Sequence, residues 1–193
     1  MLFFCTWGYI MKARSTLHRF LSLFIITTVF LVCSCVFTLT AHAYTLSGSQ
    51  WSNSRQSVVI RESVNGNYLT AINQAVNNIN NSTDVTFSTS PSGLSWTALV
   101  ANYGNTGWEG QSQWAYSIFG KTSTAASKIN SYYIPPNTTI GRMRVLWLHE
   151  LSHVWGLGHS GINTVMYTSA SAAFDNGVRY LTSDDINGIN SLY

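Results

Sequence analysis

Three histidines and a glutamate stand close together in the C-terminal third of the chain. His149 and His153 are four residues apart, Glu150 directly follows the first of them, and His159 lies six residues beyond the second. On an α-helix, a spacing of four residues places two side chains about 40° apart on one face. Both imidazoles can then reach one ion at about 2.0–2.1 Å, the usual zinc–nitrogen distance. The pair therefore predicts part of a metal site.

His159 can complete that site only if the helix ends before it, because a continuing helix would turn its side chain about 120° away. Gly156 lies where a glycine in the left-handed conformation commonly ends a helix, and Gly158 adds backbone freedom. Three neutral nitrogens leave a fourth position for water, which is typical of catalytic zinc. The spacing predicts one catalytic Zn²⁺.

Glu150 is the predicted general base. Zinc lowers the pKa of a bound water toward about 7, and a neighbouring carboxylate can take its proton during attack on a peptide carbonyl. A lone His-Glu-x-x-His sequence also occurs by chance in helices. Here, however, the three histidines are the only ones after Ala43, and scattered histidines would not coincide with all three ligand positions. The pattern predicts a zinc-dependent endopeptidase.

Residues 1–43 have the organisation of a secretory signal peptide. Lys12, Arg14 and Arg19 precede an apolar run over 20–39, and the small-x-small pattern of residues 41–43 follows. We expect cleavage after Ala43 and a secreted, extracellular protein, with translation starting at Met1 or at Met11. The alternative is an uncleaved membrane anchor, because the apolar run is long enough to span a bilayer.

Residues 44–193 are predicted to form a single catalytic domain without net charge. Three of the ten Lys and Arg lie in the leader, which leaves seven against seven Asp and Glu. That balance argues against nucleic acid or an anionic membrane surface as a partner, and we expect a monomer that acts on proteins or peptides. Cys5, Cys33 and Cys35 all precede residue 44, so neither disulfides nor a thiolate nucleophile is expected.

The apolar patterns predict an α/β or α+β domain with a mixed sheet. Strands are expected at 57–62, 85–88, 96–103, 114–119 and 128–134, and helices at 67–80, 139–157 and 183–192. In the first helix, the apolar stripe begins at Leu69. Asn137 or Thr138 is expected to cap the second helix, and Thr182 with the acidic residues after it favours a helix start.

The eleven residues from His149 to His159, followed by a methionine, resemble the metzincin metallopeptidases. Met166 is the candidate for the family's Met-turn, in which the methionine forms an apolar floor beneath the metal without binding it. Ser160, directly after the third histidine, and the closing segment 181–193 resemble the matrixin branch. The resemblance implies a mostly parallel five-stranded sheet with two long helices, a zinc cleft and a C-terminal helix. It also implies an edge strand, with 114–119 as the candidate, that pairs with an extended substrate.

The chain departs from the matrixin pattern in several respects. Ser152 and Thr168 stand where matrixins usually have glycine and proline, and no histidines remain for a second, structural zinc. The few acidic residues argue against calcium, which needs clustered oxygen ligands. With no cysteine after residue 43 and little sequence before the first strand, we expect no cysteine-based latency switch. These features resemble a minimal bacterial member of the group.

Two other functions fit parts of the sequence: a zinc-binding module without catalysis, and a hydrolase of cell-wall peptides. The intact Glu150 argues against the first, and the absence of a wall-binding repeat argues against the second. Trp108, Trp114 and Trp155 could line the cleft, but we expect packing in the core for each of them. The sequence does not specify which peptides are cleaved.

Overall fold

The structure, a computed structural model, describes residues 44–90, 92–93 and 95–193. The signal peptide and its cleavage site, predicted over residues 1–43, lie outside the described residues and stay predictions. Within the described ranges, no helix is both long and apolar enough to cross a membrane.

The described residues form seven strands and four helices. Along the chain they are β1 (Thr45–Leu46), β2 (Arg55–Ile60), α1 (Gly66–Ser82), β3 (Thr86–Ser90), β4 (Trp96–Ala101), β5 (Gly110–Tyr116), β6 (Thr122–Asn130), α2 (Ile140–Val154), β7 (Leu157–Gly158), α3 (Ala170–Asp175) and α4 (Ser183–Asn190).

Five of the strands form one mixed sheet, in the order β3-β2-β4-β6-β5. Neighbouring strands are parallel from β3 to β6, and β5 joins antiparallel at the edge. The parallel pair β2 and β3 is connected through α1, as a parallel connection requires a crossover. The mostly parallel five-stranded sheet with two long helices confirms the predicted fold class.

Helix α1 buries one stripe and α2 is buried along most of its length. Ala71, Ile72, Ala75 and Ile79 are fully buried on α1. Leu69, which was predicted to begin the stripe, is 38% exposed and lies outside the buried face. Helix α2 packs against α1, β5, β6 and α3, so nearly all of its side chains are enclosed. A helix enclosed in this way can hold polar groups away from water.

Large aromatic side chains join the C-terminal end of α2 to the sheet. Trp155, fully buried directly after α2, makes an edge-to-face contact with Trp96 of β4, with ring centroids 5.8 Å apart. Phe87 of β3 stacks on Trp96 at 4.5 Å. The expectation that Trp155 packs in the core is confirmed. Offset and edge-to-face contacts are the favoured geometries for such rings, and they fix the end of the helix that carries the histidines.

Several predicted boundaries were wrong, including the end of α2, which lies at Val154 rather than at 157. Strand β6 covers Thr122–Asn130 rather than 128–134, because its buried residues before Ile129 are small and give no apolar signal. The edge strand ends at Tyr116, and Ile118 and Phe119 lie beyond it, 94% and 84% exposed. The cap of α2 is Thr139, whose side chain accepts the Arg142 N–H, rather than Asn137 or Thr138.

Candidate functional site

The structure brings the three predicted metal ligands together. His149 and His153 project from the same side of α2, and their Nε2 atoms lie 3.1 Å apart. His159 joins them from beyond the helix, and the ligand nitrogens of all three lie within 4.8 Å of one another. The three imidazoles could hold one metal ion, for which the usual zinc–nitrogen distance is about 2.0–2.1 Å.

Backbone carbonyl groups orient two of the imidazoles. Nδ1 of His149 lies 2.8 Å from the Val165 oxygen, and Nδ1 of His153 lies 2.8 Å from the Leu157 oxygen. Because a carbonyl oxygen can only accept, Nδ1 must carry the proton in each ring. Each Nε2 therefore keeps its lone pair for a metal, which is the usual arrangement around zinc-binding histidines.

Burial also favours the neutral form of these rings. It lowers the pKa of His149 to about 3, and the nearby His153 adds to the effect. The pKa of His153 falls to about 4, again chiefly because of burial. Since metal ligation requires an unprotonated nitrogen, the pair is ready for an ion at neutral pH without first releasing protons.

The reversal between His153 and His159 depends on Gly156. This residue has a φ of +114°, and a Cβ there would lie 2.7 Å from the Ser49 oxygen and overlap the Leu192 side chain. The predicted role of Gly156 in ending the helix is confirmed. Gly158 has another role than the one predicted: it lies in β7, where a Cβ would come within 2.6 Å of Thr45 Oγ1. It permits close approach of β1 rather than an unusual backbone angle.

Three hydroxyl side chains near residue 44 hold the end of α2 and were not predicted. Ser47 Oγ donates to the His153 oxygen at 2.9 Å, and Ser49 Oγ donates to the Val154 oxygen at 2.7 Å. Thr45 Oγ1 donates to the His159 oxygen at 2.5 Å. The last carbonyls of a helix lack partners within it, and Ser47 and Ser49 donate to two of them. Thr45 instead contacts the backbone of the third histidine, which lies beyond the helix. A hydroxyl at every second position was the only sequence signal.

Glu150 is almost fully buried beside the histidines, at 3% exposure. Its Oε2 has no hydrogen-bond partner among the described residues, and burial, with a smaller contribution from the nearby Glu109, raises its pKa to about 8. The backbone of β5 comes so close that a Cβ at Gly110 would overlap the carboxylate. Ser112 Oγ, on the same strand, donates to the Glu150 main-chain oxygen at 2.7 Å.

The four predicted residues open into a cleft of about 610 Å³. Strand β5 and the residues before it form one wall, and residues 168–170 form the other. Trp108 and Trp114 line the cleft and are half-buried. Trp114 also packs against the core, as expected, whereas the expectation for Trp108 was wrong. The volume is typical of a pocket that binds a ligand.

The turn that carries Met166 is hydrogen-bonded both to the His149 imidazole and to the residue after His159. Met166 is buried, and its oxygen accepts the Ser160 N–H at 2.8 Å, next to His159. Asp185 of α4 accepts the N–H groups of Val165 and Met166 at 3.0 and 3.4 Å. Asp185 also completes a capping box with Thr182, as the first-turn carboxylates predicted. Its contact with the turn was not predicted, because it joins segments twenty residues apart.

Residues 101–193 match the family model Peptidase_M10, described as matrixin. The match covers 93 of the 193 residues, and over this region the chain is matrixin-like. The matched region extends upstream of the motif to include β5, the edge strand of the cleft, as well as α2, the Met166 turn and α4. No curated protein matches the chain.

The donor set of this matrixin-like site suits zinc. It consists of three imidazoles, two of them with Nδ1 fixed by a carbonyl. Imidazole suits zinc and related transition metals, whereas calcium and magnesium prefer oxygen ligands. His149, His153 and His159 could hold one ion.

Proposed function

We propose that the protein is a secreted zinc endopeptidase that uses Glu150 as its general base. The observation that carries this proposal is the buried Glu150 carboxylate, which lies beside three convergent imidazoles and opens into the cleft. Burying a carboxylate is costly, and its Oε2 has no hydrogen-bond partner among the described residues. A module that only binds zinc would gain nothing from it, so the cost favours catalysis over a silent zinc-binding module.

The proposed roles follow from the positions of the side chains. When bound by His149, His153 and His159, zinc would polarise the scissile carbonyl and make water more acidic. Glu150 accepts a proton from the attacking water and delivers it to the departing amine nitrogen. Burial raises its pKa, and a base of higher pKa takes up a proton more readily, which suits the first of these steps. Gly110 and Ser112 hold β5 against Glu150 and so define the distance from carboxylate to substrate.

The substrate is proposed to be an extended segment of a protein or peptide. Strand β5 is the edge of the sheet and also forms a wall of the cleft. Its outer edge can pair with an extended backbone, which places a peptide bond close to the histidines. Backbone pairing does not need free substrate ends, and this favours cleavage within a chain.

Export is proposed from the leader alone. The order of basic, apolar and small residues over 1–43 is typical of a cleaved signal peptide. The expected mature protein has no net charge and no cysteine, and it acts as a monomer outside the cell. N-terminal sequencing of the secreted protein should give Tyr44 as the first residue; retention of the protein in the membrane would favour the anchor.

The proposal is tested with a peptide library and a metal measurement on purified protein. Wild type should contain about one zinc per chain and cleave library peptides. Glu150→Ala should keep the zinc but lose at least about 10²–10⁴-fold in kcat/KM, the usual range for loss of a general base. Glu62→Ala, which removes an exposed glutamate outside the cleft, is the control. His159→Ala should lose zinc on dialysis. Undiminished cleavage by the Glu150→Ala protein would refute the role of Glu150 as general base.

A further inference from the structure

The cleft contains a second carboxylate that the proposed reaction does not use. Glu109 lies directly before β5 and lines the cleft together with Glu150. Its Oε2 accepts the N–H of Ser171 at 3.3 Å, from the opposite wall. Glu109 is half-buried. The entrance to the catalytic carboxylate is therefore negatively charged.

Asn130 holds the backbone around Glu109 in place. This fully buried residue donates its own N–H to the Glu109 oxygen at 2.8 Å. Its Nδ2 donates to the oxygens of Gly104 and Trp108, at 2.9 and 3.4 Å, and to Thr106 Oγ1 at 2.9 Å. The buried side-chain amide of Asn130 thus fixes residues 104–108, which lead into β5. The Glu109 carboxylate projects from a rigid wall, as a selective contact requires.

No lysine or arginine of the described residues lines the cleft to balance this charge. Arg142 contacts the nearby wall through the Ser171 oxygen, at 3.4 Å. It is already paired with Asp175, and its guanidinium lies over the Phe174 ring, 4.9 Å from the centroid. Among the described residues, no lysine or arginine therefore balances Glu109 within the cleft. A cation can come from the substrate.

Aromatic side chains flank the same part of the cleft. Trp108, the residue before Glu109, and Tyr133 both line it. The Tyr133 hydroxyl accepts the Gly107 N–H at 2.9 Å, which fixes the ring beside the wall. Aromatic faces attract cations, by about 0.5–1 kcal/mol at exposed sites. A carboxylate flanked by aromatic rings in a cleft is suited to a guanidinium or ammonium group.

We propose that Glu109 makes the protein select substrates with a cationic side chain, arginine or lysine, at a residue flanking the scissile bond. This inference rests on the proposed peptidase function and adds the substrate class. The Glu109 carboxylate pairs with the cation, and the aliphatic part of that side chain packs on Trp108 and Tyr133. An acidic side chain at the same position is repelled by Glu109.

The test compares peptides that differ by one charge, in assays of zinc-loaded protein produced from the full chain. One series places arginine, citrulline or glutamate on the amino side of the scissile bond, and a second places them on the carboxyl side. Citrulline has the shape of arginine without its charge. In one of the two series we expect kcat/KM to be about tenfold higher for arginine than for citrulline, because a charge-assisted pair is lost.

Glu109→Gln is the decisive variant. Glutamine keeps an oxygen for the Ser171 N–H, so the wall should remain folded, with a Tm close to that of wild type. The ratio of arginine to citrulline should fall to about 1; any change in rate that is common to both peptides cancels from this ratio. Glu62→Gln, the same change at an exposed residue outside the cleft, should leave the ratio unchanged. In wild type, added salt should shrink the ratio because it screens a partly exposed pair.

The outcomes separate the two proposals. A wild-type ratio near 1 in both series, or a ratio that Glu109→Gln leaves unchanged, overturns the role of Glu109 while the peptidase function stands. If Glu109→Gln does not fold, the salt dependence of wild type decides. An arginine-to-citrulline ratio that added salt leaves unchanged would overturn the role of Glu109. If zinc-loaded wild type cleaves no peptide of any charge, the peptidase function and this inference both fail.

Discussion

The Asp185 carboxylate accepts the backbone N–H of Val165, and the carbonyl oxygen of Val165 lies 2.8 Å from Nδ1 of His149. One residue of the Met166 turn thus links α4 to the metal centre. Groups that orient metal-bound histidines contribute to metal affinity. Helix α4 therefore supports His149 indirectly, because Asp185 holds Val165 and Val165 orients the imidazole.

Asp185→Ala should weaken zinc binding as well as the fold. The change leaves the buried N–H groups of Val165 and Met166 without their acceptor, at about 1–3 kcal/mol for each unsatisfied group. We expect unfolding to become easier by about 2–4 kcal/mol and zinc affinity to fall about 10–100-fold, the range for loss of an orienting group. Thermal melts and competition with a zinc chelator measure the two effects. Asp84→Asn, an exposed acidic residue, should change neither; unchanged zinc affinity in Asp185→Ala would refute the link.

Asp185 also predicts a pH dependence of stability. Burial raises its pKa in the folded protein, although hydrogen bonds from Thr182, Val165 and Met166 oppose the shift. A raised pKa means that the folded state holds the proton more tightly than the unfolded chain does. Its contribution to stability is therefore complete below the unfolded pKa of about 3.9 and is lost as the pH rises through the folded pKa.

The measurement is the Tm of wild type minus that of Asp185→Asn, with metal removed from both. The subtraction isolates the contribution of residue 185 to the Tm, because both proteins contain all the other titrating groups. This difference should become less favourable to wild type as the pH rises from about 4 to about 7. An increase over the same range would mean that the hydrogen bonds outweigh burial and that the pKa shift has the opposite sign.

The metal motif could be predicted from the sequence because its geometry is local. Helical spacing alone places His149 beside His153, and a positive φ at Gly156 was the one additional requirement. The fold class was predictable for a similar reason, since apolar periodicity identified most of the long elements. Strand β6 shows where that signal fails. Its buried residues include Thr122, Ala125 and Ser127, which are too small and polar to mark a strand.

The rest of the site depends on contacts between distant segments. Glu109 and Gly110 gain their roles only when β5 lies against α2, forty residues later in the sequence. Likewise, Thr45 meets His159 only after β1 pairs with β7. Residue type and spacing do not specify such neighbours. The centre of the cleft could therefore be predicted, and its edge strand through the family resemblance, but not the contacts that build its walls.

Gly156→Ala should destabilise the protein through two separable effects. Alanine is strained at a φ of +114°, and its Cβ would also meet the Ser49 oxygen and the Leu192 side chain. Gly177→Ala is the matched control, because Gly177 has a φ of +92° with no atom within 4 Å of the added Cβ. We expect about 1 kcal/mol for the control and clearly more for Gly156→Ala, as measured by urea unfolding. Equal losses would mean that the close contacts relax and only the backbone angle matters.

Gly110→Ala should impair catalysis with little effect on the metal. The added Cβ would overlap the Glu150 carboxylate, so either the side chain or β5 must move. Gly110 has no positive φ, and backbone strain therefore does not contribute. A displacement of about 1 Å in a reacting group can cost about 10²-fold, and we expect a loss of that order in kcat.

Gly161→Ala provides the control for that change, since its Cβ would meet no atom within 4 Å and its φ is not positive. Zinc content should equal that of wild type in both variants, because neither glycine touches a histidine ring. Full activity in Gly110→Ala would mean that Glu150 tolerates displacement. That result would contradict its role as a general base, which must lie within hydrogen-bond reach of the proton that it takes up. If Gly110→Ala lost zinc as well as activity, the added Cβ would be displacing α2 as a whole rather than only the Glu150 carboxylate.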